Sequence, residues 1–206
     1  MAYNSVPDQF VQVLDRDEKV FWIGKPKFVP FMMTGIPFLL VGIVWFAFDY
    51  FAFLKNIDLE DGVSGFVVPF FIMHLFPTWG SILNLIRLAL VFNNTYYTYT
   101  NKRLMMRSGF WGTDFRAIDY DKISDIEVNV NPIENMFNVG SIMAYSGRNN
   151  SKGGRIYDRF IAIENPYHVF KMIKQISVDV KTDYNFPNAL RPDNNPGYKT
   201  NYKPGE

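Results

Sequence analysis

The stretch YYTYTNKRLMMRSGFWG, Tyr96 to Gly112, alternates between two faces. Tyr97 and Tyr99 share one face, opposite Tyr96, Thr98 and Thr100. Asn101 and Lys102 make a tight turn, and Leu104 with Met106 then oppose Arg103 and Arg107. A period of two on both sides of a short polar turn predicts a β-hairpin. This strand pattern starts only four residues after the apolar run SILNLIRLALVF ends at Phe92. A segment fit for lipid thus passes into a sheet with almost no linker.

Downstream the period of two continues. FWG reads as a turn, TDFRAIDYD as a strand with Phe115 and Ala117 on one face, and KISDIEVNV as a strand with Ile126, Val128 and Val130 on one face. NPIENMFNVG interrupts the pattern with Pro132 and Gly140, and SIMAYSG, the polar tip RNNSKGG and RIYDRFIAI form a further hairpin. A meander of about six strands follows from this count. ENPYHVFKMIKQISVDVK then changes to helical spacing: Asn165 suits the N-cap, Pro166 the first turn, and Val169, Ile173, Ile176 and Val180 fall on one face. With Phe170, that face is expected to cover the sheet. Residues 93–181 are read as one domain, and the Pro- and Asn-rich stretch 182–206 as a disordered tail.

Upstream the composition changes. Fourteen of twenty Phe precede Asn93, whereas most Lys and Arg follow it. FVPFMMTGIPFLLVGIVWFAF, Phe28 to Phe48, has no charge and matches the roughly 20 residues a bilayer core requires. It is longer than the apolar core of a signal peptide and ends in bulky aromatics, which predicts a retained anchor. A second run from Gly62 to Phe92 carries only Arg87 and a potential charge on His74, with Pro69 and Pro77 as expected kinks. The reading is a two-span unit over 28–92, with spans at about 28–48 and 63–92, preceded by a cytoplasmic segment 1–27. Lys25 and Lys27 before it, Lys102, Arg103 and Arg107 after it, and acidic Asp49, Asp58, Glu60 and Asp61 between the spans predict both termini in the cytoplasm. Arg87 is expected to snorkel to headgroups. His74 is expected to be structural, since no Asp, Glu or second His lies within either run to pair with it.

A formal net charge of +1 argues against a nucleic-acid binder. Without cysteine there is neither a disulfide framework nor a Cys-ligated metal site, and no cofactor motif is present. Paired carboxylates, a Ser-His-Asp arrangement, HExxH and a phosphate-binding glycine loop are all missing from the sequence, so an enzyme is not expected. His168 reads as a surface or capping residue in the first turn of the last helix.

YYTYTNKRLMMRSGFWGTDFRAIDYDKISDIEV, followed by NVGSIMAYSG and IENPYHVFKMI, resembles the bacterial pleckstrin-homology-like family once called membrane-flanked domains. The upstream DEKVFWIGKP and the paired apolar runs match that arrangement too, and the likeness covers most of Asp17 to Lys181. It implies an α+β architecture: two N-terminal transmembrane helices, then a PH-like bent antiparallel sheet or barrel capped by a C-terminal α-helix. It implies no catalytic residue and fixes no ligand.

A domain joined so closely to a span is expected at the inner face of the cell membrane, as a non-enzymatic binding or scaffold module for a protein partner or a second copy of itself. The alternative is recognition of anionic lipid headgroups. Its candidate residues are Lys102, Arg103, Arg107 and Arg116 around the first turns, and Arg148, Lys152 and Arg155 around the glycine-rich tip. Residues 95–181 hold twelve Lys and Arg against nine Asp and Glu, a net +3. Lipid-reading patches concentrate about four to eight cations, which favours the scaffold reading.

Overall fold

A computed structural model describes residues 7–56 and 64–185, and the chain divides into two compact units. One holds the residues up to Lys27 together with those from Asn94; the other is the intervening stretch Phe28–Asn93.

The first unit carries seven strands, one more than the expected meander. A short helix α1 (Asp8–Val11) precedes strand β1 (Val20–Gly24). After the intervening unit come β2 (Tyr96–Thr100), β3 (Arg103–Ser108) and β4 (Asp114–Asp119), and these pair in the order β1-β2-β3-β4. Strands β5 (Asp125–Asn129), β6 (Val139–Asn149) and β7 (Arg155–Glu164) make a second antiparallel sheet. Residues 20–24, expected within a separate N-terminal segment, are thus an edge strand: Gly24 lies opposite Tyr97 and Val20 opposite Thr100. The apolar unit is an insertion between two neighbouring strands of one sheet. Nothing local in VFWIG announces a partner more than 70 residues away.

The stagger seen in the sequence becomes the core. Tyr97, Tyr99, Leu104, Met106 and Ile118 from one sheet meet Ile126, Ile142, Ala144 and Phe160 from the other. Trp22 stacks on Tyr99 and Phe160 with ring centroids at 5.8 and 6.1 Å, and Tyr97 stacks on Phe160 at 4.8 Å. Burial pushes the Tyr97 phenol up to about 12. Met105, on the outer face between two arginines, is also fully buried. On that face the register aligns it with Ala117, two residues from Phe115, whose ring meets buried Phe10 of α1 at 5.2 Å.

NPIENM, read only as a break, is a helical turn α6 (Pro132–Met136) with a capping box: Glu134 N–H donates to the Asn131 side chain and Asn131 N–H to the Glu134 carboxylate. The closing helix α7 (Pro166–Asn185) starts as predicted, with the Asn165 carbonyl accepting from His168 and Val169. Val169, Ile173 and Ile176 are buried, with Phe170 and Val180 packed at the margin. The helix absorbs Thr182–Asn185; the remainder of the expected tail lies outside the described residues.

The inserted unit consists of α2 (Phe28–Met33), α3 (Ile36–Ala52), α4 (Ser64–His74) and α5 (Phe76–Asn94). Each expected span is broken. Pro37, second in α3, has no N–H to continue the ladder of α2, and Thr34 Oγ1 donates to the Phe31 carbonyl at 2.7 Å. Pro77 does the same between α4 and α5. Carbonyls near that break, of Ile72 and His74, accept from the indoles of Trp79 and Trp45, each at 2.9 Å. Among the described residues no single helix is long and apolar enough to cross a membrane. The α4–α5 pair, bent by 49°, passes by length and composition only when taken together. Acidic Asp58, Glu60 and Asp61 lie outside the described residues.

The inserted unit buries small and polar groups. Gly42 and Ser81 meet so closely that a Cβ on Gly42 would fall 2.3 Å from Ser81 Oγ. Thr78 Oγ1 donates to the Gly42 carbonyl at 3.0 Å. Large apolar side chains point outward, including Val44, Phe51, Phe66 and Met73 at 68–77% exposure.

Candidate functional site

At the β2–β3 turn Asn101 and Lys102 reverse the chain as predicted, but the turn is fastened from the N-terminal side. Glu18, almost fully buried, receives Arg103 through two hydrogen bonds, Nη2 to Oε2 at 2.7 Å and Nε to Oε1 at 3.0 Å. Thr100 Oγ1 and Asp15 N–H also donate to it. Burial pushes the Glu18 carboxyl up, but Arg103, the Asp15 amide and Thr100 outweigh it and hold the group below its ordinary value. The same hydrogen bond raises Arg103. Asn101 adds bonds to the Lys19 amide and the Asp17 carbonyl. Lys102 Nζ lies 3.5 Å from Asp15. Two of the candidate lipid- or partner-binding residues therefore lie against carboxylates of their own domain, Arg103 in a buried pair and Lys102 at the surface.

Arg116 and Arg148 converge on one carboxylate. Arg116 Nη1 lies 2.6 Å and Arg148 Nη2 2.5 Å from Asp158 Oδ1, and the Asp158 side chain has no exposure. Arg116 belongs to β4, whereas Arg148 and Asp158 belong to β6 and β7, so the cluster bridges the sheets. At the β6–β7 tip, Asn150 Oδ1 accepts from the amides of Lys152 and Gly154. Arg155 lies over the Tyr145 ring at 5.1 Å and is exposed.

Arg107 stands apart. It is four residues beyond Arg103 on β3, about 13 Å at strand rise, and the predicted cluster around the first turns is split between two ends of the sheet. Tyr96 faces Arg107 across the β2–β3 ladder; the Arg107 guanidinium lies 5.7 Å and Lys25 Nζ 4.6 Å from its ring centre. Arg107 Nε is buried without a hydrogen-bond acceptor. The turn that leaves this end of β3 carries Phe110 at 44% and Trp111 at 93% exposure. Beside it is a cleft of about 330 Å³ lined by Met106, Ser108, Thr113, Asp114, Phe115 and Arg116.

In the inserted unit His74 has the partner that the sequence reading denied it. Helix α3 continues past Phe48, so Asp49 lies inside it, fully buried, with Oδ1 3.2 Å from His74 Nε2 and neither carboxylate oxygen in a hydrogen bond. The expected absence of a carboxylate came from ending the run at its first charge. His74 is packed among Trp45, Phe70 and Phe71. His168 is exposed in the first turn of α7. Among the described residues no group of three His, Asp or Glu has the spacing to hold a metal ion.

Among curated proteins none matches the chain. Among solved structures, a DUF1696 family protein with a pleckstrin-homology domain from Shewanella loihica PV-4 is similar at 16% identity and a TM-score of 0.30, over 40% of this chain and 71% of that one. The family described as Bacterial PH domain matches residues 19–175, from the residue before β1 into α7 and across the insertion. Two antiparallel sheets closed by a C-terminal helix fit that fold, and the chain belongs to the bacterial PH domain family.

Proposed function

We propose that this chain is a non-enzymatic integral membrane protein whose PH domain serves as a binding and scaffold module at the cytoplasmic face of the cell membrane. The observation that carries the membrane half is the burial pattern of the described residues of the insertion: Gly42, Ser81 and Asp49 lie inside with Phe31 and Leu88, while Val44, Phe51, Phe66 and most other large apolar side chains face out. In water that arrangement forfeits the hydrophobic effect, whereas in lipid it leaves small residues for close helix packing. Broken helices suit such a unit when side chains bond the carbonyls near the breaks, as the indoles of Trp45 and Trp79 and the Thr34 hydroxyl do. Lys25 and Lys27 on the entering side and the acidic residues of the central loop favour both termini inside.

The scaffold half rests on the basic residues. Lys102 and Arg103 lie against Asp15 and Glu18 of the same domain, and Arg116 and Arg148 share the Asp158 carboxylate, so these four cations do not form one unpaired basic patch. A domain tethered by its own chain needs no lipid affinity for recruitment. A partner protein or a second copy is the expected ligand. Crosslinking in native membranes, followed by identification of what co-purifies, tests this: a reproducible protein partner or a self-crosslink supports it. Crosslinks to anionic lipid alone would favour headgroup recognition.

A further inference from the structure

We propose that the β3–β4 turn, Phe110–Trp111, is an interfacial lipid anchor that seats the PH domain on the bilayer beside the points where the chain leaves and re-enters the domain. The inference rests on the membrane reading above and adds a defined contact to it. The register brings the relevant parts to one edge. Gly24 at the end of β1 is opposite Tyr97, Tyr96 at the start of β2 is opposite Arg107, and Ser108 at the end of β3 is opposite Asp114. The chain departs toward Phe28 and returns through Asn94 at this edge, and Asn94 Nδ2 donates to the Gly109 carbonyl at the base of the turn.

The turn itself is built to present rings. Gly109 has φ +149°, and a Cβ there would lie 2.1 Å from the Gly112 carbonyl oxygen. The chain is pinched at its base, which pushes Phe110 and Trp111 outward. Their rings meet edge to face at 5.9 Å. An indole at 93% exposure beside a second ring loses hydrophobic stabilisation in water, and indoles prefer the headgroup level, where one end is apolar and the N–H stays wet. Behind the rings stand Lys25 and Arg107 about Tyr96, with Asp114 as the carboxylate on the same edge. Apolar tip first and cations set back is the order in which acyl chains and phosphates occur in a leaflet.

The test uses the full chain in nanodiscs of mixed neutral and anionic lipid, with single spin-labelled cysteines in a protein that has none of its own. Gly112→Cys keeps both rings, and a Cβ there meets no atom within 4 Å. Val44→Cys on α3 reports whether the insertion is in lipid, and Lys174→Cys on the exposed side of α7 serves as the water reference. The expected result is that the labels at 44 and 112 are accessible to oxygen and shielded from a water-soluble nickel chelate, with the reverse at 174. Replacing Phe110 and Trp111 together by Ser should return the label at 112 to the water-like ratio while leaving 44 unchanged. A lipid signal at 44 with a water signal at 112 overturns the anchor and leaves the membrane reading intact. A label at 112 shielded from both reagents means protein contact and also overturns it. A water signal at 44 overturns both.

Discussion

The two units of this chain solve opposite burial problems with similar residues. In the PH domain Trp22, Tyr97, Tyr99 and Phe160 form a stack around the core, and the buried carboxylates of Glu18, Glu134 and Asp158 are met by hydrogen-bond donors. In the inserted unit Phe48, Phe51 and Phe66 are outside, and Gly42, Ser81 and Asp49 are buried beside Phe31 and Leu88. Aromatic content alone therefore says little about position; the surrounding solvent decides which face of an element pays to be hidden. Comparing matched substitutions in the two units tests this most directly.

The largest effect is expected from Phe160→Ala, which empties the centre of the stack and should cost about 3–5 kcal/mol. Phe51→Ala, of the same chemistry on the outside of α3, should leave folding in lipid nearly unchanged. Denaturation of the full chain in nanodiscs, followed by near-ultraviolet circular dichroism, separates them; equal losses would break the comparison. His74→Ala should also destabilise the inserted unit, by about 3 kcal/mol, because it takes a polar side chain away from a buried carboxylate whose oxygens make no hydrogen bond. The double variant with Asp49→Leu should recover most of the loss, and a double variant as weak as the single one would show that the pair is not the cause.

Ile173→Ala on the buried face of α7 should cost about 2–5 kcal/mol, whereas Lys174→Ala, one residue on and exposed, should stay within about 0.5 kcal/mol. A domain that melts identically for both would mean α7 is not docked as described. The smallest effect concerns pH. Glu18 is held below its ordinary value in the folded state, so its contribution is present above the ordinary value of 4.5 and is lost as pH falls through the lower folded value. Glu18→Gln should flatten the acid limb of stability below about 4.5 without steepening the neutral region. An unchanged acid limb would place the responsible carboxylate elsewhere.

Much of the fold was legible because its signals are local. The alternation from Tyr96 to Ser108 and the spacing of Val169, Ile173 and Ile176 depend only on which side of an element is apolar, and that is written residue by residue. Strand β1 was not legible, since five residues of VFWIG have no visible partner until the insertion folds away between β1 and β2. Of the candidate site, the identity of the cations was readable but their availability was not. Arg103 looks the same in sequence whether it meets a phosphate or Glu18, and Arg116 and Arg148 sit 32 positions apart before Asp158 draws them together. The capping box at Asn131 and Glu134 was a signal that could have been found, because an Asn followed three residues later by Glu is a helix start.

The sequence by itself determined the separation of an apolar block from a β-rich block, the sheet-forming period and the closing helix, all of which follow from short-range pattern and composition; the family came from the resemblance of its motifs. Only the tertiary structure decided that the apolar block interrupts a sheet, that Asp49 lies against His74, and which basic residues lie against carboxylates. Each of these depends on groups tens of residues apart coming together. Once buried, a charge is tolerated only with its partner, and a carbonyl only with a donor.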